Sequence, residues 1–168
     1  MTYRYNLMKY ITYGLICLVG EFVGLFAAFI LPFWCKYEWK PWVRLFATPD
    51  NPPEGDKGHQ ARWENKPIYW QRVAWLLRNR MYGLKLYVIG CPALRYTTEG
   101  NPRIKNRDGG VEGSFTLRST DGEYWYKKTI KYIGYNYCIQ LAFGWQLDAP
   151  IRGRCLFMFS PRVTKFYK

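Results

Sequence analysis

Four side chains in the first third of the sequence have the types that could hold a metal ion. Asp50, Glu54 and Asp56 cluster in PDNPPEGD, and His59 follows three positions on. Hard cations take several carboxylate and carbonyl oxygens, so a loop of this composition invites a metal reading. The spacing argues against it: Pro52 and Pro53 stand where a calcium loop carries ligands. The simpler expectation is that these carboxylates cap turns and pair with the abundant arginines and lysines. Cysteine chemistry is no better supported. Cys17, Cys35, Cys91, Cys138 and Cys155 are scattered without a Cys-x-x-Cys pair, and His59 is the single histidine. That pattern supplies neither a zinc site nor a disulfide framework and fits free thiols. No Gly-rich phosphate loop or nucleophile elbow is present, so the sequence points away from an enzyme and implies no cofactor.

A different carboxylate stands out by its surroundings. Glu21 is the one charge in the 25 residues from Tyr10 to Trp34. Such a stretch is long enough to cross a bilayer core of about 30 Å with some tilt. A cleaved signal peptide would have a shorter apolar run and a small-residue cleavage site, so a retained anchor is expected. Gly14, Cys17, Glu21, Gly24 and Ala28 recur at intervals of three and four, with Gly20 at the edge of the same stripe. Small residues let another helix approach closely, so these six positions are expected to form a packing seam. In that seam Glu21 would be protonated or hydrogen-bonded to a partner helix, which relieves the cost of burying its charge.

The flanks suit a membrane as well. Trp34, Lys36, Trp39, Lys40, Trp42 and Arg44 mix aromatic rings with cations, as interfacial belts do. The basic residues of the two flanks lean slightly towards a cytoplasmic C-terminal domain. The whole chain carries a net charge of +13, and beyond position 35 there are 23 basic and 11 acidic residues. A surplus of that size favours polyanions: phospholipid headgroups, nucleic acid or an acidic protein. The candidates for such contacts are Arg72, Arg78, Arg80, Arg103, Lys105 and Arg107. No zinc-finger, helix-turn-helix or ribonucleoprotein motif accompanies them, so lipid is favoured over nucleic acid.

The elements that must position these groups follow from the patterning. Residues 1–35 form the membrane helix, 36–61 a juxtamembrane aromatic belt with a Pro-rich acidic loop, and 62–168 a basic domain. Within that domain KPIYWQRVAWLLRNRMYG reads as one amphipathic helix, with Asn65 as cap, Pro67 in the first turn and Gly83 as stop. Trp70, Val73, Ala74, Leu77 and Met81 fall on one face, expected to lie on the sheet that follows. LKLYVIG at 84–90 reads as a strand, TEGNP at 98–102 and NRDGG at 106–110 as turns. Residues 113–133 read as a hairpin about Thr120-Asp121-Gly122, and 136–147 and 153–163 as two further strands. The expected class is α+β: an N-terminal transmembrane helix, then a small antiparallel sheet covered by one helix.

LFATPDNPPEGD, followed by WQRVAWLLRNRMYGL, resembles a family of small proteins encoded by tailed bacteriophages. That family has an N-terminal hydrophobic segment, a T-P-D-N-P-x-[DE]-G-D element, and an Arg-rich helix end of the form W-L-x-R-N-x-x-Y-G. The similarity covers residues 10–90 and departs at Arg80, where proline is expected and where arginine would let the helix run on. It implies a phage origin and a location in the host inner membrane, without a reaction and without catalytic residues to carry over. On that footing the expected role is structural or interactive, through membrane lipid, self-association, or a host or phage membrane protein. A virion component inserted during genome delivery, and a tethered nucleic-acid-binding or metal-dependent enzyme domain, are the alternatives.

Overall fold

The computed structural model describes residues 2–35, 40–105, 112–131 and 137–165. The chain forms two compact units, Met1–Tyr10 with Gly90–Lys168, and Ile11–Ile89. The expected turn at 106–110, together with Lys36, Trp39 and Arg107, lies outside the described residues. The class is α+β, and the helix α1 (Thr2–Ile30) is continuous through the apolar stretch.

In the unit holding residues 90–168, the described residues form seven strands: β1 (Cys91–Pro92), β2 (Tyr96–Gly100), β3 (Gly113–Ser119), β4 (Tyr124–Lys131), β5 (Tyr137–Trp145), β6 (Arg154–Cys155) and β7 (Phe157–Lys165). Five of them make one antiparallel sheet in the order β2-β3-β4-β5-β7, and β1 pairs with β6. The hairpin forms where alternation places it. Phe115 and Leu117 are buried between exposed or half-exposed neighbours, and the turn closes with Ser119 N–H donating to Glu123 O at 2.9 Å. Beside them the interior is filled by Trp125, Trp145, Phe157 and Ile104, each at most 4% exposed.

Two expectations fail here. Of the turn expected at 98–102, residues 98–100 belong instead to an edge strand, Tyr96–Gly100, its five residues all exposed, and the chain turns after it. Gly100 makes this possible: its φ is +87°, and a Cβ there would meet Ser114 O at 2.5 Å. The neighbouring strand's carbonyl therefore approaches where a side chain would stand, and only glycine admits it. The segment expected as the first strand, 84–90, belongs to the other unit and is helical there.

The unit of residues 11–89 is built from helical turns around the rest of α1. Two short 3₁₀ turns, Leu31–Phe33 and Pro41–Leu45, lead to α2 (Lys57–Trp63) and α3 (Ile68–Arg78), and a π-helical turn occupies Leu84–Val88. Strand propensity at LKLYVIG yields to tertiary packing: Leu86 is fully buried and Ile89 is 3% exposed. Helix α3 also ends earlier than expected. Asn79 leaves helical geometry and Met81 has φ of +51°, so Arg80 does not extend the helix and Gly83 is not its stop. At the other end Pro67, not Asn65, occupies the cap position, without a side-chain bond to the first turn. The buried side of α3 finds cover in its own unit. Leu76 joins Ala28, Leu31, Cys35 and Val43 in one apolar cluster, with Leu77 against it.

Candidate functional site: the N-terminal helix and its ion cluster

Along α1 the small-residue stripe faces inward. Cys17, Gly20, Gly24 and Ala28 are buried, and Gly14 is half-buried with open space where a Cβ would stand. The stripe is already occupied by the chain itself. Cβ atoms built on Gly20 would meet Leu84 at 3.2 Å and Met81 at 3.4 Å; on Gly24 they would meet Met81 at 3.1 Å and Arg80 at 3.2 Å. The absence of side chains is thus what seats residues 80–84 against the helix.

Glu21 lies in the same seam and is not left to another polypeptide. Arg80 Nε donates to its Oε2 at 2.6 Å, and Lys85 Nζ donates to its Oε1. Lys85 is the more enclosed cation, its side chain 14% exposed against 37% for Arg80. One carboxylate between two cations leaves the cluster with net positive charge. The sequence signal for this arrangement was half visible, since Glu21 is conspicuous, but its partners lie 59 and 64 residues away. No local spacing could identify them.

The remaining basic candidates divide. Arg72 is buried and donates to Glu54 Oε1 from Nε at 2.7 Å, so it is no surface for a polyanion. Arg80 is likewise engaged by Glu21. Arg78 is exposed, its Cζ 5.8 Å from the Trp75 ring, and Arg103 is exposed on the 3₁₀ turn Pro102–Lys105, which Lys105 closes. Three of the metal candidates, Glu54, Asp56 and His59, hold the loop in place. Asp56 Oδ1 accepts from His59 N at 2.7 Å and caps α2, while buried His59 donates from Nε2 to Gln71 O at 2.9 Å. Glu54 pairs with Arg72, and Asp50 is exposed. Among the described residues no three His, Cys, Asp or Glu side chains converge on a point that could hold an ion.

Opposite the seam, α1 is apolar and uncovered. Leu15, Leu18, Val19, Phe22 and Phe26 are each at least 55% exposed. The span Leu7–Phe33 is long and apolar enough to cross a membrane, and only 28% of its most apolar window is buried, where a core helix would be mostly buried. At its end the ring of Phe33 lies 4.8 Å from Tyr69, Trp34 lies 5.9 Å from Trp42, and Tyr69 lies 5.1 Å from Trp70. Trp34, Trp42, Lys40 and Arg44 are exposed.

The sheet has an apolar side of its own. Register puts Ile130, Ile139 and Val163 in one row, and Tyr126, Phe143 and Phe159 in another on the same side. Val163 and Phe159 are 65% and 55% exposed. Tyr10 covers one end of that side, its ring 4.4 Å from Tyr124 and 5.0 Å from Trp145.

Residues 1–166 match the model of a family of unknown function, DUF7338. The chain belongs to this family. Membership in DUF7338 spans nearly all of the sequence and carries no reaction with it. No curated protein matches the chain, and no solved structure does.

Proposed function

We propose that this DUF7338 protein is a membrane-bound structural or interaction factor, with α1 as its attachment element. The observation that carries the reading is the row of exposed apolar side chains on α1 opposite a seam the chain has filled itself. Water would disfavour that surface by about 25 cal/mol for each Å² left uncovered. The exposed basic residues Lys40, Arg44 and Arg78 of the same unit, and Arg103 of the other, suit anionic headgroups, each adding about 1 kcal/mol near such a surface. Their positive sign supports the cytoplasmic leaflet as the side of attachment, and the phage resemblance supports the host's inner membrane as the membrane concerned. Self-association or a host or phage partner protein would then engage what lipid leaves free.

Vesicle flotation with the full chain tests this. The protein should rise with phosphatidylglycerol vesicles, and more weakly with neutral phosphatidylcholine vesicles. It should stay bound at high salt, because the apolar contact is insensitive to screening. A chain that stays at the bottom of the gradient with both vesicles, or that binds only DNA at matched salt, would refute the membrane reading.

A further inference from the structure

A 27-residue apolar helix invites the picture of a crossing, with its ends on opposite sides of the membrane. Two observations oppose that picture. The first is depth. A bilayer core needs about 20 helical residues, and every window of about that length within Leu7–Phe33 contains Glu21. The window would therefore carry Arg80 and Lys85 into the hydrocarbon too, since both are bonded to Glu21. Further along the same helix, Tyr69 Oη donates to Phe29 O at 2.9 Å, and α3 packs on Ala28 through the shared apolar cluster. A charged and hydrogen-bonded flank thus accompanies α1 from Glu21 to its end.

The second observation is connectivity. Tyr10 packs on the sheet of its own unit, and Lys9 Nζ lies 3.0 Å from Glu123 Oε1 there. If α1 crossed, the sheet would sit on the side of the helix's first turns. The chain leaves α1 at the other end, so it would have to cross back between residues 35 and 90. Among the described residues α1 is the one helix long and apolar enough to cross.

We propose that α1 lies along the membrane surface, its exposed side in the acyl boundary of one anionic leaflet and its seam turned to the protein. The inference rests on the membrane reading above and specifies its geometry. The exposed positions settle the occupant as lipid. Leu25, Leu18, Phe22, Phe26, Val23 and Ile16, taken from one edge of the exposed side to the other, spread over roughly half the helix circumference at 100° per residue. A second helix would cover a narrower stripe, whereas a leaflet wraps a broad one.

The experiment uses the full chain in oriented bacterial inner-membrane vesicles, inverted and right-side-out, with a membrane-impermeant maleimide. All five native cysteines are buried, so the parent protein is the blank. Lys40→Cys and Glu99→Cys sit on exposed positions of the two units, as do Lys57→Cys and Thr120→Cys, a second pair in case the first disturbs folding. Both members of each pair should label in one vesicle orientation and neither in the other. Labelling in opposite orientations means a crossing and overturns the inference while leaving membrane attachment intact. Failure of the protein to sediment with vesicles overturns both. A nitroxide at Phe22→Cys should report a depth of about 5–10 Å below the headgroups; a reading at the bilayer centre also overturns it.

Discussion

The two units hold α1 by different chemistry. At Lys9 and Tyr10 the helix offers polar tips: the amine meets Glu123, and the tyrosine hydroxyl accepts from Tyr124 N at 3.0 Å while its ring lies on Trp145. From Cys17 to Ala28 it offers one carboxylate, Glu21, in a row of small residues, and the partner segment comes close to the backbone around it. The first arrangement grips through side chains, and the second through one ion cluster and the absence of side chains around it. The second is the more exacting, because a glycine seam has no rotamer with which to yield. In each unit the points most sensitive to added atoms should be the glycines that meet a neighbouring backbone.

The sharpest way to break this comparison is to add one carbon to each unit. In Gly83→Ala the new Cβ would stand 1.8 Å from Arg44 O, and in Gly144→Ala it would stand 2.0 Å from Tyr124 O at a φ of +106°. Neither neighbour is a flexible side chain, so each change should cost about 3 kcal/mol or more. Hydrogen exchange should locate the damage in residues 40–46 and 80–89 for Gly83→Ala, and in β4 and β5 for Gly144→Ala. Wild-type protection in either variant would mean that these close approaches are not fixed.

Removing charge should have a smaller effect, and an unequal one. Glu21→Leu leaves Lys85 enclosed beside Arg80 with their shared acid gone. Losing one member of a partly buried ion cluster should cost about 1–3 kcal/mol, below the fully buried range because Arg80 is screened by solvent. Glu123→Gln releases a lysine that is 32% exposed and should cost less, about 1 kcal/mol. Urea unfolding ranks the two. If Glu123→Gln proves the costlier, the ion cluster on α1 is not what binds residues 80–85.

How much of this was legible follows from the distance between interacting residues. The hairpin, the strands at 137–145 and 157–165, the apolar helix and the capping role of the proline loop were open to reading from local period and turn chemistry. LKLYVIG was not. Its β-branched and aromatic residues look strand-like, but Leu86 and Ile89 are buried in a π-helical turn. Arg72 and Arg80 looked like surface cations because their acids, Glu54 and Glu21, are 18 and 59 residues away. Even the seam, read as a place for another helix to approach, gave no sign that the same chain would fill it.

Thiols sharpen the contrast without touching stability at neutral pH. Cys91 and Cys155 are direct cross-strand partners in β1 and β6, both buried. Burial pushes the Cys91 thiol from 9.0 up to about 12, helped by the neighbouring Cys155 and Glu123, and it raises Cys155 too. A group whose pKa is raised by folding favours the fold while protonated. That contribution is fully present below pH 9 and is lost as the pH climbs towards 12. Two results should follow. Iodoacetamide at pH 8 should leave both thiols unmodified until denaturant is added, since the thiolate is the nucleophile. The urea midpoint of Cys91→Ala should then fall less than that of the parent between pH 9 and pH 11. Rapid alkylation of the native chain at pH 8 would show that the β1–β6 pair opens, and that the sheet unit is looser there than its ladder implies.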